Sequence, residues 1–202
     1  MARNFLDSTY DLTDPQDVKA HYDKWAASYD AEIMENGYAL PRRAAEALAS
    51  LGLSPDVAIL DVGCGTGLSA VAFAKAGFSL FDGVDVSADM MAVAEKRAIY
   101  RNLTITEPGA PRPEGDYDVS AGVGVRGHGA APPELIDLMV DALKPGMLLL
   151  YSLNGKALAD PGYASKVAAN KARADLVLRV EEHGDHLPGI DLKSTVYVFE
   201  KT

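Results

Sequence analysis

Residues 59–70, ILDVGCGTGLSA, constrain the fold more than any other stretch. An apolar run ends in an acid, Asp61, and three glycines follow at alternate positions, Gly63, Gly65 and Gly67. A buried strand, a sharp turn and a helix satisfy all of these residues at once. Glycine reaches the left-handed φ that such a turn needs, and it lets backbone approach a ligand closely. The next run, LSAVAFAKAG, carries few polar residues and reads as a buried helix stopped by Gly77. Such a strand–loop–helix unit belongs to a parallel sheet, whose ligands bind at the carboxyl ends of the strands near the switch point.

The rest of the chain repeats this alternation. SLFDGVDV is a second strand, and ADMMAVAEKRAIY a second helix with Ser87 as its N-cap. LTIT is a weak third strand, followed by the Pro-rich loop EPGAPRPEGD. YDVSAGVGV and MLLLYSL flank the helix PPELIDLMVDALKPG, whose apolar stripe lies opposite Glu134, Asp137 and Asp141. Asp160-Pro161 opens an Ala/Lys-rich helix. LVLRVEE and STVYVFEK are joined too closely for a crossover helix and should pair antiparallel. The expected fold is α/β: a Rossmann-like, doubly wound, mostly parallel seven-stranded sheet with an antiparallel last strand and helices on both faces.

Before this core, residues 1–14 read as an arm. DPQDVKAHYDKWAASYDAEI reads as one helix, with Asp14 as N-cap and Tyr22, Trp25 and Tyr29 on a single face. A further helix runs from Leu40 to Leu51 and stops at Gly52. With 202 residues the chain suits one domain, residues 1–55 as a helical lid region and 56–202 as the sheet core.

Charge and cysteine content narrow the partners. A net charge of −10 argues against a duplex-binding surface, so no nucleic-acid partner is expected. No apolar run approaches the roughly 20 residues of a membrane span, and no secretory signal is expected at the N-terminus. One cysteine, Cys64, excludes an intrachain disulfide and fits a cytoplasmic protein. The expected state is a monomer or homodimer. EEHGDHLPGID gathers Glu182, His183, Asp185 and His186, but reads as a solvated hairpin turn without metal-site spacing, so no metal is expected.

The glycine loop poses a choice of ligand. Gly65, Gly67 and Ala70 fit a dinucleotide fingerprint loosely, with Asp85 ending the second strand. Asp61, two residues before Gly63, would repel a pyrophosphate and suits a cationic group. Together, ILDVGCGTG at 59–67, GVDVSADMMAVAEKR at 83–97, YDVSAGVGV at 117–125 and ALKPGMLLLYSLN at 142–154 resemble the class I S-adenosylmethionine-dependent methyltransferases. HYDKWAASYD at 21–30 looks like the N-terminal lid segment of members acting on small molecules. YDKWAASYD and GVGVRGHGAAPPE look most like the Williams–Beuren-type methyltransferase-like subgroup.

That resemblance implies S-adenosyl-L-methionine as cofactor, S-adenosyl-L-homocysteine as product and a small-molecule acceptor. It implies that Asp61 and the backbone of Gly63 and Gly65 hold the methionine end, within a loop completed by Cys64, Thr66 and Gly67. Asp85 would accept both ribose hydroxyls, Val86 and Met90 would sandwich the adenine, and Tyr22, Trp25 and Tyr29 would cover the cofactor. Gly122 and Val123, at the end of the fourth strand, would also contact the cofactor. Where many family members carry an Asp for the adenine amino group, this chain places Thr104. His128, in RGHG after the fourth strand, is the candidate base, with Tyr10 and Tyr151 as further candidates and Arg126 as a grip for an acidic acceptor. Two other readings share the sheet: a nicotinamide-dependent oxidoreductase and a non-catalytic cofactor-binding protein.

Overall fold

The computed structural model describes residues 5–6, 14–108, 115–125 and 131–202. Its sheet has seven strands: β1 Ala58–Val62, β2 Leu80–Asp85, β3 Asn102–Ile105, β4 Val119–Gly122, β5 Leu148–Asn154, β6 Leu176–Leu187 and β7 Leu192–Lys201. They lie in the order β3-β2-β1-β4-β5-β7-β6. The first five pair parallel, and β7 runs antiparallel to both β5 and β6. Consecutive connections from β1 go to β2 on one side, and the chain later returns to β4 on the other. This reversal opens a crevice at the carboxyl end of β1.

Both sheet faces are covered, which explains why the central strands read as continuous apolar runs. On one face pack α3 (Leu40–Ala49) and α4 (Leu68–Lys75), over Ile59, Phe73, Phe81, Val119 and Val198. On the other pack α6 (Glu134–Asp141) and α8 (Pro161–Ala172), over Met139, Leu149, Tyr151, Tyr163 and Phe199. Each such large side chain contributes about 1.5–3 kcal/mol by leaving water. Tyr151 belongs to this core. It is fully buried, accepts from Asn170 Nδ2 at 3.4 Å and stacks on Phe199, so it cannot serve the cavity as a base.

The lid departs from the single helix expected. It is two helices, α1 (Pro15–Trp25) and α2 (Tyr29–Glu35), with a turn between them. Asp14 caps α1 as expected, accepting from Gln16 N at 2.8 Å and Asp17 N at 3.3 Å. The break follows from Ser28. Its N–H closes a four-residue turn onto Trp25 O at 3.0 Å, and its hydroxyl donates to Glu32 Oε1 at 2.6 Å. A serine that bonds locally in this way competes with helix continuation.

Three further elements differ from expectation. Helix α5 (Ala88–Glu95) ends early, and the chain turns through Ala98 at φ 53°. A short helix, α7 (Gly155–Ala159), follows β5 because the Asn154 side chain caps it, accepting from Ala157 N at 2.9 Å. Strand β6 continues to Leu187, so Glu182, His183, Asp185 and His186 lie in a strand and not in a turn. The turn is Pro188–Asp191. Buried Arg43 of α3 extends the strand this far: its guanidinium donates to Glu182 O and Asp185 O, both at 2.9 Å. Among the described residues no helix is long and apolar enough to cross a membrane.

Candidate functional site

The crevice beyond β1 opens into a cavity of about 260 Å³ between the strand ends and the lid. Its floor is the glycine loop. Gly63, Gly65 and Gly67 take φ values of 70°, 53° and 87°, the left-handed region that favours glycine. Gly63 has a second reason to be glycine: a Cβ there would stand 2.4 Å from a methyl of Val125. The loop is tied to β2, since Gly63 N and Cys64 N both donate to Val84 O.

Asp85 ends β2 beside this loop and lines the cavity. One carboxylate oxygen accepts from Gly65 N and the other from Ser87 N, each at 2.8 Å. Burial pushes its pKa up, against the backbone N–H groups of Ser87, Gly65 and Val86. Each oxygen keeps acceptor capacity for a ligand hydroxyl. Ser87 caps α5, accepting from Met90 N at 3.1 Å, so the helix N-terminus and the carboxylate share one corner.

Asp61 stands elsewhere than the resemblance implied. Strand alternation turns its side chain under the loop, toward α4, where it is fully buried and lines no part of the cavity. Ser69 Oγ donates to Oδ2, and Tyr100 OH donates to the same oxygen at 2.7 Å. Oδ1 is buried with no partner among the described residues. Burial raises the Asp61 pKa to about 6, with the Asp85 charge adding to the shift. Asp61 is therefore one hydrogen bond removed from the cavity, through Ser69, which does line it.

Other expected residues divide as follows. Cys64, Thr66, Val86, Met90 and Val123 line the cavity, as do Tyr22 and Tyr29 of the lid. Trp25 does not: it is 2% exposed and forms the lid's own core with Leu6, Ile33 and Leu187. An aromatic stripe on a lid helix must pack as well as cover, and here its middle ring does only the packing. Burial and the carboxylates of Asp61 and Asp85 push the Cys64 thiol well up, which leaves it an unreactive filler. Gly67 and Gly122 lie outside the lining: the first starts α4, and the second ends β4 one residue short of it.

Thr104 is exposed on β3 and does not reach the cavity. Thr106 and Glu107 do, because β3 runs to Ile105 and Thr106 N then donates to Asp85 O at 2.9 Å. The two-residue offset was hidden by the weak pattern of this edge strand. His128, Tyr10 and Arg126 lie outside the described residues. Sequence reasoning also missed Tyr38 and Pro41, whose only signal was an aromatic and a proline flanking the start of α3. Among the described residues no group of three or more His, Cys, Asp or Glu side chains is placed to hold a metal.

Comparison with known proteins shows what this chain is similar to. A model described as a methyltransferase domain matches residues 59–146. Human methyltransferase-like protein 27 is 35% identical over 133 residues, 63% of this chain and 54% of that protein. The ubiquinone biosynthesis O-methyltransferase of Colwellia psychrerythraea is 28% identical over 138 residues, 65% of this chain and 53% of the enzyme. The chain thus spans about half the length of the curated relatives it matches. In fold it is similar to a SAM-dependent methyltransferase from Geobacter sulfurreducens solved with S-adenosyl-L-homocysteine, at TM-score 0.60, 16% identity, 79% of this chain and 91% of that one. It is also similar to the ribosomal protein L11 methylase of Lactobacillus delbrueckii, at TM-score 0.56, 17% identity, 79% of this chain and 77% of that one.

Proposed function

We propose that the chain is a class I S-adenosylmethionine-dependent methyltransferase and transfers a methyl group from S-adenosylmethionine to a small-molecule acceptor. The observation that carries this reading is the pairing of the glycine loop with Asp85 on one cavity wall.

The residues fit the cofactor. Gly63 and Gly65 present backbone to the methionine end, above the unpartnered, buried Oδ1 of Asp61, whose charge favours a cationic group. Asp85 accepts the two ribose hydroxyls with the lone pairs its backbone bonds leave over. Val86 and Met90 flank the adenine, and Glu107, not Thr104, supplies the carboxylate for its amino edge. When bound, S-adenosylmethionine would supply a methyl group activated by its sulfonium. The chain's part is alignment and exclusion of water: Tyr22 and Tyr29 close over the floor and cover the cofactor. The lid, residues 1–55, and the core, 56–202, act as one domain. A small acceptor is supported by the net charge of −10 and by carboxylates being the charged groups on the described lining. The lone, buried cysteine supports a cytoplasmic setting, and the protein acts as a monomer or homodimer.

Calorimetric titration with S-adenosylmethionine, S-adenosylhomocysteine and NADPH tests this. The first two bind, and Asp85→Ala weakens both by at least about ten-fold through loss of charge-assisted hydrogen bonds. Binding of NADPH in place of both sulfur ligands would return the oxidoreductase. Binding without turnover on any acceptor would favour a non-catalytic role.

A further inference from the structure

The glycine loop rests on a phenol. Tyr100 follows α5, and its hydroxyl donates to Asp61 Oδ2 at 2.7 Å. Two glycines give its ring room. A Cβ on Gly67 would lie 3.1 Å from the ring and 3.4 Å from the hydroxyl oxygen, and one on Gly83 would lie 3.0 Å from the ring and 2.9 Å from Cys64 Sγ. Gly83 sits inside β2 without a left-handed φ, so space and not backbone conformation explains it. Ala98, at φ 53°, turns the chain between Arg97 and Tyr100, and both meet the loop: Arg97 Nε donates to Thr66 O at 2.5 Å.

Asp61 Oδ2 takes a second donor, Ser69 Oγ. That bond decides what Ser69 can do in the cavity it lines. A serine hydroxyl has one proton, and here it is committed to Asp61, so only its lone pairs remain for a ligand. Lone pairs suit a donor such as an ammonium group. The arrangement needs Asp61 ionised, because a protonated carboxyl would itself become a donor.

The groups that face Asp61 are Ser69 of α4, Tyr100, the Cys64 thiol and the Asp85 carboxylate. Burial and the Asp85 charge favour the neutral acid, while the hydroxyls of Ser69 and Tyr100 favour the carboxylate. Tyr100 stays a donor throughout, because burial and the Asp61 charge push its own pKa far up. We propose that Tyr100 is a positioning residue of the cofactor site: through Asp61 it fixes Ser69 as an acceptor for the ammonium group of the ligand's methionine end. This rests on the methyltransferase reading of the same cavity.

Two ligands test it. S-Adenosylhomocysteine carries the ammonium group, and 5′-methylthioadenosine has the same adenosine and sulfur without the amino-acid end. Both are titrated by calorimetry, between pH 5.5 and 7.5, into the full chain and into its Tyr100→Phe variant, which keeps the ring and loses only the hydroxyl. In the wild type, S-adenosylhomocysteine is expected to weaken toward the acid end as Asp61 takes up a proton. In Tyr100→Phe that fall is expected about one pH unit higher, while 5′-methylthioadenosine keeps the same profile in both proteins. Asp85 faces both ligands, so the ratio of the two affinities cancels its titration. An effect through the ligand carboxylate would have the opposite sign. Ser69→Ala removes the acceptor itself and serves if Tyr100→Phe fails to fold: it is expected to weaken S-adenosylhomocysteine at least about five-fold at pH 7.5 and to leave 5′-methylthioadenosine within about two-fold. An unshifted S-adenosylhomocysteine profile in folded Tyr100→Phe, or an equal shift for both ligands, overturns the role of Tyr100. Equal effects of Ser69→Ala on the two ligands overturn the chain from Tyr100 to the ligand. If S-adenosylhomocysteine does not bind the wild type, the methyltransferase reading falls. If it binds and the profiles disagree, only this inference falls.

Discussion

Asp30 of the lid accepts a hydrogen bond from the Thr66 hydroxyl, in the middle of the glycine loop, at 2.6 Å. The other Asp30 oxygen takes the Arg97 guanidinium, whose Nε also donates to the Thr66 carbonyl at 2.5 Å. A second tether runs from Ser87, the cap of α5, which donates to Asp23 of α1 at 2.5 Å. Lid and floor are therefore joined at the glycine loop and at the cap of α5.

Asp30→Ala should release the lid without unfolding the core. The Asp30 side chain is 37% exposed, so its ion pair is screened and adds less than about 1 kcal/mol to stability. Its effect belongs on exchange: dissociation of S-adenosylhomocysteine, followed by stopped-flow fluorescence of Trp25, should speed up roughly five- to ten-fold. An unchanged rate would show that the tether does not hold the lid. Asp30→Asn should fall between, keeping the Thr66 bond and losing the charge toward Arg97.

The architecture was legible because its signals were redundant. The LDVGCGTG turn, the strand–helix alternation and the capping residues Asp14 and Ser87 all pointed the same way, and each stands where the pattern put it. The site was less legible where a residue's role depends on which way one strand faces. Asp61 sits in the right motif, but strand alternation turns it beneath the loop. Thr104 missed by two residues, because β3 is an exposed edge whose burial carries no clear period. Tyr38 was invisible for a different reason. It reaches the cavity only because the far hairpin, about 150 residues later in the chain, clamps its turn through His186 O.

Two buried groups make stability respond to pH in opposite directions. His186 is held neutral by burial and by the Arg43 charge, with its pKa lowered from 6.5 to about 4. The unfolded chain takes up that proton first, so this contribution is present above pH 6.5 and is lost as pH falls toward 4. Asp61 shifts from 3.8 to about 6, so its contribution is present at low pH and is lost as pH rises toward 6. Urea denaturation at pH 5.5 and 7.5, above the pI near 4.8, separates the two. Relative to wild type, His186→Phe should gain about 1 kcal/mol on acidification and Asp61→Asn should lose about 1 kcal/mol. Parallel profiles for all three proteins would contradict the assignment.

Arg43 carries the last prediction, since it links the sheet extension to the turn that carries Tyr38. The side chain is 5% exposed and donates to Glu182 Oε1 at 3.1 Å, Glu182 O and Asp185 O at 2.9 Å, and Ser194 Oγ at 3.2 Å. Gly184 leaves the space, since a Cβ there would stand 2.9 Å from the guanidinium carbon. Removing the guanidinium orphans buried carbonyls, so Arg43→Ala should cost about 3 kcal/mol in urea denaturation. Arg43→Lys should recover less than half, because a single ammonium cannot span acceptors on both strands of the hairpin. The same carbonyl row holds Ala39 N through His186 O, and with it Tyr38, which lines the cavity. Hydrogen exchange at the Ala39 amide should therefore accelerate in Arg43→Lys beyond the global loss of stability. Protection that falls only in step with global unfolding would confine Arg43 to the hairpin and detach it from the Tyr38 turn.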